Sequence, residues 1–422
     1  MHMLNMNFSK IAREFPRKFW IVVGVSFIDH VGGTMLFPFF SLYITQKFNV
    51  GMTEAGIVLG IFALSGLFGQ MIGGALTDKF GRRNLIIFGL IFSALSTLTL
   101  GLVKDFSVLI PLAVVIGLLS DMAGPAHGAM IADILPEQKR QEGFGILRVV
   151  GNMAWIIGPT IGGFVAAKSF LALFIIDAII SCFVALLFFL FISETKPETH
   201  EEHKQESLFK TFLGYGKVVT NKAFMAFLVA LILMGLVYQQ MYNSLSVYLR
   251  DVHNIDPSGY GFLLTASAIV VILFQFSVTR YIKNKAPFVI MAVGTLFYMV
   301  GFSMFGFVTA YWLFVAAIIV VTMGEMLVVP TSQVLVAGFA PEDMRGRYMG
   351  VFGMTWSIPG VIAPYLAGVI LDNLDPNLLW YIGGILCAVA AFGFFGLHAA
   401  IGKQKRFQAV EEEPAVAVAE SA

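Results

Sequence analysis

Charge is what this sequence has least of. Asp, Glu, Lys and Arg together make up 13 % of the 422 residues, against about a quarter in ordinary soluble domains. Apolar residues reach 58 % and the mean hydropathy is +0.83. A chain so poor in charge cannot cover a water-facing surface, which excludes a soluble globular fold and points to a membrane-embedded one. Cysteine is nearly absent as well: Cys182 and Cys387 both fall inside apolar runs, so disulfides carry no weight and both read as small buried hydrophobes. No Gly-x4-Gly-Lys-Ser/Thr loop occurs, which argues against ATP as the direct drive of any process here. The net charge of +1 gives no footing for nucleic acid.

What is there is apolar and long. Twelve runs, over residues 19–46, 54–77, 84–103, 106–132, 144–167, 169–193, 223–249, 258–281, 287–309, 311–338, 347–371 and 377–401, each approach or exceed the roughly 20 residues that span a bilayer core as helix. Backbone polar groups in lipid must be satisfied internally, and runs of this length without alternation exclude a barrel. The expected fold is an all-α membrane protein of twelve transmembrane helices. With the N-terminus inside, all but four of the 27 lysines and arginines fall on the cytoplasmic side, the exceptions being Lys47, Lys104, Lys168 and Arg250. That asymmetry predicts both termini in the cytoplasm of a multi-pass protein of the cell membrane. The apolar run after Lys18 is too long for a cleavable signal.

A polar interruption at 194–222 divides the chain. It reads as a cytoplasmic linker between an N-terminal six-helix bundle, 1–193, and a C-terminal one, 223–402, followed by an acidic, low-complexity tail at 403–422 that reads as disordered. Within the linker, Leu208 to Val219 could form an amphipathic stretch. A constant shift of 205 residues aligns the halves: Tyr43 with Tyr248, Gly56 with Gly261, Gln70 with Gln275, Pro125 with Pro330, Pro136-Glu137 with Pro341-Glu342, Arg140 with Arg345, Pro159 with Pro364, Gly163 with Gly368 and Cys182 with Cys387. The expectation is a duplicated, pseudo-symmetric pair of six-helix bundles.

Between the second and third runs stands Gly74-x3-Asp78-Lys79-x-Gly81-Arg82-Arg83, which can only be a tight hairpin at a membrane face. Glycine lets helices approach, aspartate can accept from a helix end, and arginines stay on the cytoplasmic side. With six positions in register, the hairpin resembles the loop signature of the major facilitator superfamily of transporters, and the resemblance extends from Phe19 to Gly402. It implies a substrate site near the midplane between parallel halves and alternating access. It also implies that Asp133, at the inner end of helix four, pairs with the hairpin arginine, making Gly74, Asp78, Arg82 and Asp133 a conformational latch for the outward-open state. The matching turn of the second half, Arg280-Tyr-Ile-Lys283-Asn-Lys285, keeps the positive charge without the Asp or the glycines.

Run five carries Gly158-Pro159-x-x-Gly162-Gly163, a source of close helix contact and a kink without charge. This motif resembles the antiporter signature of the twelve-span drug:proton antiporters. That branch carries an arginine in helix four, where the present chain has Ser120-Asp121 instead, so a proton step would fall to acids. The candidates are Asp29, about ten residues and roughly 15 Å into the first helix, Asp121, and Glu325, one and a half turns before Pro330 in helix ten. Each is expensive in a membrane unless paired, hydrated or protonated. Each could also be an acid fixed by hydrogen bonds to neighbouring helices, and that reading is favoured for Asp177. His30 and His127 are isolated and give no nucleophile–base constellation, so no enzyme is expected.

Tyr238, Gln239, Tyr242 and Asn243 crowd helix seven, with Trp155 and Trp356 on helices five and eleven. Aromatic and neutral polar groups around a cavity suit flat, amphipathic or cationic molecules, although aromatic packing would give the same pattern. The expected function is proton-coupled export of small hydrophobic or cationic compounds by antiport. A sugar or other metabolite carrier is the alternative; an organic-anion carrier would favour an arginine in the cavity, and only Arg148 comes near. A transporter-like membrane sensor is a remote third. No cofactor or metal is expected beyond the proton gradient. The expected partners are the small-molecule substrate, protons and the bilayer, with the protein acting as a monomer.

Overall fold

A computed structural model describes residues 14–196, 218–341, 344–402 and 404. Among these residues the regular structure is helical throughout, and twelve helices are long and apolar enough to cross a membrane. In order they are α1 (Arg17–Phe48), α2 (Met52–Phe80), α3 (Arg82–Leu102), α4 (Phe106–Ile134), α5 (Glu137–Lys168), α6 (Phe170–Phe191), α7 (Lys222–Asn243), α8 (Pro257–Ile282), α9 (Pro287–Phe307), α10 (Tyr311–Phe339), α11 (Arg345–Asn373) and α12 (Leu378–Ile401). Most of the linker, with the amphipathic stretch up to residue 217, and nearly all of the acidic tail lie outside the described residues.

Three spans are interrupted. α1 tightens to a 3-10 turn at Phe37–Phe39 around Pro38, because proline removes a helical N–H and crowds the preceding turn. α4 does the same at Asp121–Ala123, just before Gly124-Pro125. α7 ends its first segment at Tyr238, resumes over Gln240–Asn243 and continues as a separate helix, Leu245–His253. The single apolar run expected over 223–249 is therefore segmented. Under the 205-residue shift, Pro38 corresponds to Asn243, so α1 and α7 break at equivalent places.

Large apolar side chains are spread over the outside, among them Met71 (74 % exposed), Leu190 (61 %) and Phe392 (74 %), as a lipid-facing surface requires. Lipid offers no hydrophobic drive for helix association, so packing depends on close backbone approach at small residues. Two compact units result. Among the described residues, the first contains α1 to α6 together with residues 239–269 and 357–378; the second contains residues 218–238, 270–341, 344–356 and 379–402.

Candidate functional site

At the end of the first unit that carries Arg17, the α2–α3 hairpin turns on one residue. Gly81 has φ +88°, a conformation that glycine adopts without penalty, and a Cβ there would also strike the Glu194 carboxylate. That carboxylate accepts from the backbone N–H groups of Arg82 (2.9 Å), Arg83 (3.1 Å), Thr195 (2.9 Å) and Lys196 (3.0 Å). It thus caps the N-terminus of α3 from just beyond α6. Burial pushes the Glu194 carboxyl up, but these four donors outweigh it and hold the group below its ordinary value. In return Arg83 reaches the last carbonyls of α6, with Nε on Ile192 O and Nη2 on Phe189 O, both at 2.7 Å. Both contacts match the helix dipoles, an anion at the N-terminus and a cation at the C-terminus.

Arg82 Nε meets Asp133 Oδ2 at 2.8 Å, with the two side chains only 12 % and 17 % exposed. This pair is shielded rather than solvated. The Asp78 side chain lies outside the described residues. Gly74 faces open space, and the close approach to α4 is made instead at Gly69 and Gly73, whose added Cβ atoms would meet backbone of Leu118 and Met122. Glu194 was not singled out in the sequence because an acid opening a polar linker reads as solvated.

Further into the unit, Gly158 and Gly162 press on α1: a Cβ at either would collide with Thr34 or the Met35 backbone. Thr34 hydroxyl also donates to Ala154 O at 3.0 Å. Gly163 faces the other way, toward Pro257, Ser258 and Gly261 of α8. The Gly-Pro-x-x-Gly-Gly motif is therefore a two-sided packing surface.

This second face has a repeat-related partner. A Cβ on Gly261 would meet Pro159 O, and a Cβ on Gly56 would meet Pro364 O; one on Gly163 would meet Ser258, and one on Gly368 would meet Thr53. Each contact becomes the other under the 205-residue shift. Residues at the same separation touch directly: the hydroxyls of Ser41 and Ser246 lie 3.4 Å apart, and Arg250 Nη1 donates to Thr45 Oγ1 at 2.9 Å. Equivalent residues in mutual contact must lie beside a two-fold axis, so these contacts place one between α1 and the continuation of α7. All of them lie toward the end of the unit opposite Arg17, and they close it.

Below this closure is a cavity of about 410 Å³, walled by Phe37, Phe40, Leu59 and Phe62, with Gln239, Asn243 and Gly33 also lining it. The Trp155 and Tyr242 rings meet nearby at a tilt of 60° with centroids 5.0 Å apart, and Phe37 lies edge-on at 6.3 Å from Trp155. Asp29 is one turn from Gly33 on α1. Asp177 is buried on α6, receives a hydrogen bond from Thr97 at 3.0 Å, and packs against Gly32 of α1. The two aspartates thus belong to adjoining turns of one helix contact, which their separation of 148 positions conceals. His30 Nδ1 bonds Ser26 O at 2.7 Å, and the His127 ring packs edge-on to Phe188. The Asp121 side chain is outside the described residues.

In the second unit, Tyr238 hydrogen-bonds Glu325. Its ring sits between Tyr298 (5.7 Å) and Trp356 (5.8 Å). Gly324, beside the acid, meets Gly294 of α9 at backbone distance, so Glu325 sits on a closely packed helix pair, α9 and α10.

The family model for the Major Facilitator Superfamily matches residues 22–364 and 254–419. The chain is 27 % identical over 359 residues to a Na(+), Li(+), K(+)/H(+) antiporter of Planococcus maritimus, covering 78 % of this chain and 84 % of that one. It is 26 % identical over 370 residues to the quinolone resistance protein NorA of Staphylococcus aureus, covering 86 % and 92 %. A crystal structure of a POT family transporter in complex with 5-aminolevulinic acid superposes with a TM-score of 0.78 at 14 % identity, over 92 % of this chain and 97 % of that one. Twelve spans, a duplicated architecture with its axis at α1 and the matching family model agree: the chain belongs to the Major Facilitator Superfamily of transporters.

Proposed function

We propose that this transporter is a proton-coupled antiporter that exports small hydrophobic or cationic compounds across the cell membrane by alternating access. The observation that carries the reading is the aromatic cavity with its neutral polar groups Gln239 and Asn243, set one turn from Asp29 and bearing no cation on its lining. Such walls accept flat or cationic organic molecules and reject organic anions. The relatives named for quinolone resistance and for cation/proton exchange support it. Both termini are cytoplasmic in this reading, following the distribution of lysine and arginine. The end closed by the two glycine junctions is then the outer one. The proton gradient is the drive, and no cofactor takes part.

Asp29 or Glu325 takes up a proton from outside as substrate leaves, so the two are bound in turn. Arg82 and Asp133 are paired here while the outer end is shut, so in this reading the pair braces the inner ends of α3 and α4 and is not the latch of the outward-open state that the hairpin's resemblance implied. Replacing Glu325 by Gln tests the coupling: pH-gradient-driven efflux of a fluorescent hydrophobic cation from vesicles should be lost while counterflow exchange persists. Unchanged efflux would remove Glu325 from the coupling role. A second reading, alkali cations as cargo, is favoured by the Asp29–Asp177 helix contact and by the cation-exchanging relative. Sodium-driven proton movement in the same vesicles would support it.

A further inference from the structure

The α8–α9 turn is the repeat counterpart of the α2–α3 hairpin, yet its cations are arranged differently. In the first unit Arg82 is committed to Asp133, and Arg83 to the end of α6. In the second, Arg280, Lys283 and Lys285 line one cavity of about 480 Å³, with no carboxylate among its described lining residues, and Lys283 also keeps a further interaction within the protein. Thr279 adds a hydroxyl at the same end. The volume is in the range of small-molecule sites, and the site is bipartite. From the cations it runs inward along Phe276 and Val334, which are 60 % and 62 % exposed. A topological charge signal needs only lysine and arginine in a loop; it does not need three of them converging on a concavity that continues as an apolar wall.

We propose that this pocket binds one anionic phospholipid, its phosphodiester held by Arg280, Lys283 and Lys285 and its acyl chains lying against Phe276 and Val334. Guanidinium and ammonium groups suit phosphate oxygens as fork and point donors. The apolar wall distinguishes a lipid from a free phosphate, because a soluble anion gains nothing from it. By the alternation of spans the pocket opens to the leaflet on the side of the termini, next to the α8 and α10 ends. Occupancy there would tie α8, α9 and α10 together at the base of the helix pair that carries Glu325.

The test uses the purified full chain in phosphatidylcholine nanodiscs with increasing phosphatidylglycerol. Bound lipid is counted by native mass spectrometry and thermal stability is followed in parallel. The wild type should retain one phosphatidylglycerol and gain stability. The triple variant R280Q, K283Q, K285Q should retain it on the order of a hundredfold less well at low salt, three surface cations contributing roughly fivefold each. The charge-keeping variant R280K, K283R, K285R should behave as wild type, which separates lost binding from misfolding. K222Q, at another helix end on the same side, should change nothing. Equal phosphatidylglycerol retention by the triple variant would overturn the proposal. So would stabilisation by inorganic phosphate alone, or an equal loss in K222Q, which would reduce the effect to general surface charge.

Discussion

The two junctions that close the far end of the first unit are copies in sequence and differ in how their helices are capped. At the α5–α8 junction, Asp256 stands directly before α8 and caps it locally, accepting from Ser258 hydroxyl and from Gly259 N–H at 2.9 Å. At the α2–α11 junction the equivalent position is Gly51, which has no side chain to offer. The carboxylate comes from the opposite helix instead: Asp372 accepts from Met52 N (2.9 Å), Thr53 N (2.7 Å) and Thr53 Oγ1 (2.6 Å). The position equivalent to Asp372 in the other junction is Ala167. Opening the α5–α8 junction leaves the α8 cap intact, whereas opening the α2–α11 junction strips α2 of its cap. The same glycine contact can therefore serve as a passive seam in one place and as a polar clasp in another.

The largest effects come from breaking the seam common to both. Gly56→Leu and Gly261→Leu each force a side chain against a proline carbonyl across the junction. Overpacking of this kind costs about 1–3 kcal/mol, enough to reduce substrate efflux roughly tenfold or more, and the two variants should be equally impaired. Efflux from cells or vesicles, with expression controlled by immunoblot, measures it. A strong effect in only one variant would break the equivalence of the junctions.

The caps should then separate them. Asp372→Asn removes the charge that α11 brings to the α2 N-terminus, leaving Glu54 of the first turn, and should favour the open junction by about 1 kcal/mol, a roughly fivefold shift in population. Asp256→Asn should lower thermal stability by a similar amount and leave the population unchanged. Maleimide labelling of a cysteine at Thr265 in a chain lacking Cys182 and Cys387 reports the difference. Faster labelling in D372N than in D256N is expected, and equal rates would deny the clasp.

The opposite end offers a pH test. Because the folded-state value of Glu194 lies below 4.5, its contribution is fully present above that pH and is lost as pH falls through the lower folded value. Glu194→Gln should cost about 1 kcal/mol at neutral pH, and the stability gap to wild type should close as the sample is acidified below 4.5. A gap that stays constant in thermal unfolding would show that the charge is not what the α3 N-terminus uses. Smallest of all, Thr160→Val should cost about 1 kcal/mol or less through its lost hydroxyl pair with Thr265, with efflux nearly unchanged.

Much of this was legible before any coordinates. Length and hydropathy defined the spans, since twenty apolar residues have few other uses, and the 205-residue shift that aligned Gly56 with Gly261 and Pro159 with Pro364 pointed to a duplication, which the fold expresses as two equivalent glycine–proline contacts, Gly56 with Pro364 and Gly261 with Pro159. What escaped was polar and long-range. Glu194 and Asp372 each cap a helix more than a hundred residues away, and an acid just past an apolar run carries no mark of its partner. The shift could have found one of them, because it sets Gly51 opposite Asp256 and leaves α2 without a cap. Asp177 read as structural, and its buried bond to Thr97 fits that reading, but its packing on Gly32 beside Asp29 required the α1–α6 contact. The segmentation of α7 had only a weak signal in Asn243 standing opposite Pro38.

The central claim is that the far-end junctions must part for transport. It is tested most directly by Thr160→Cys with Thr265→Cys in the chain lacking Cys182 and Cys387, since the two hydroxyls already touch across the α5–α8 junction. Oxidation should abolish efflux from vesicles and reduction should restore it. Efflux that continues at the reduced-state rate with the cross-link formed would contradict the account.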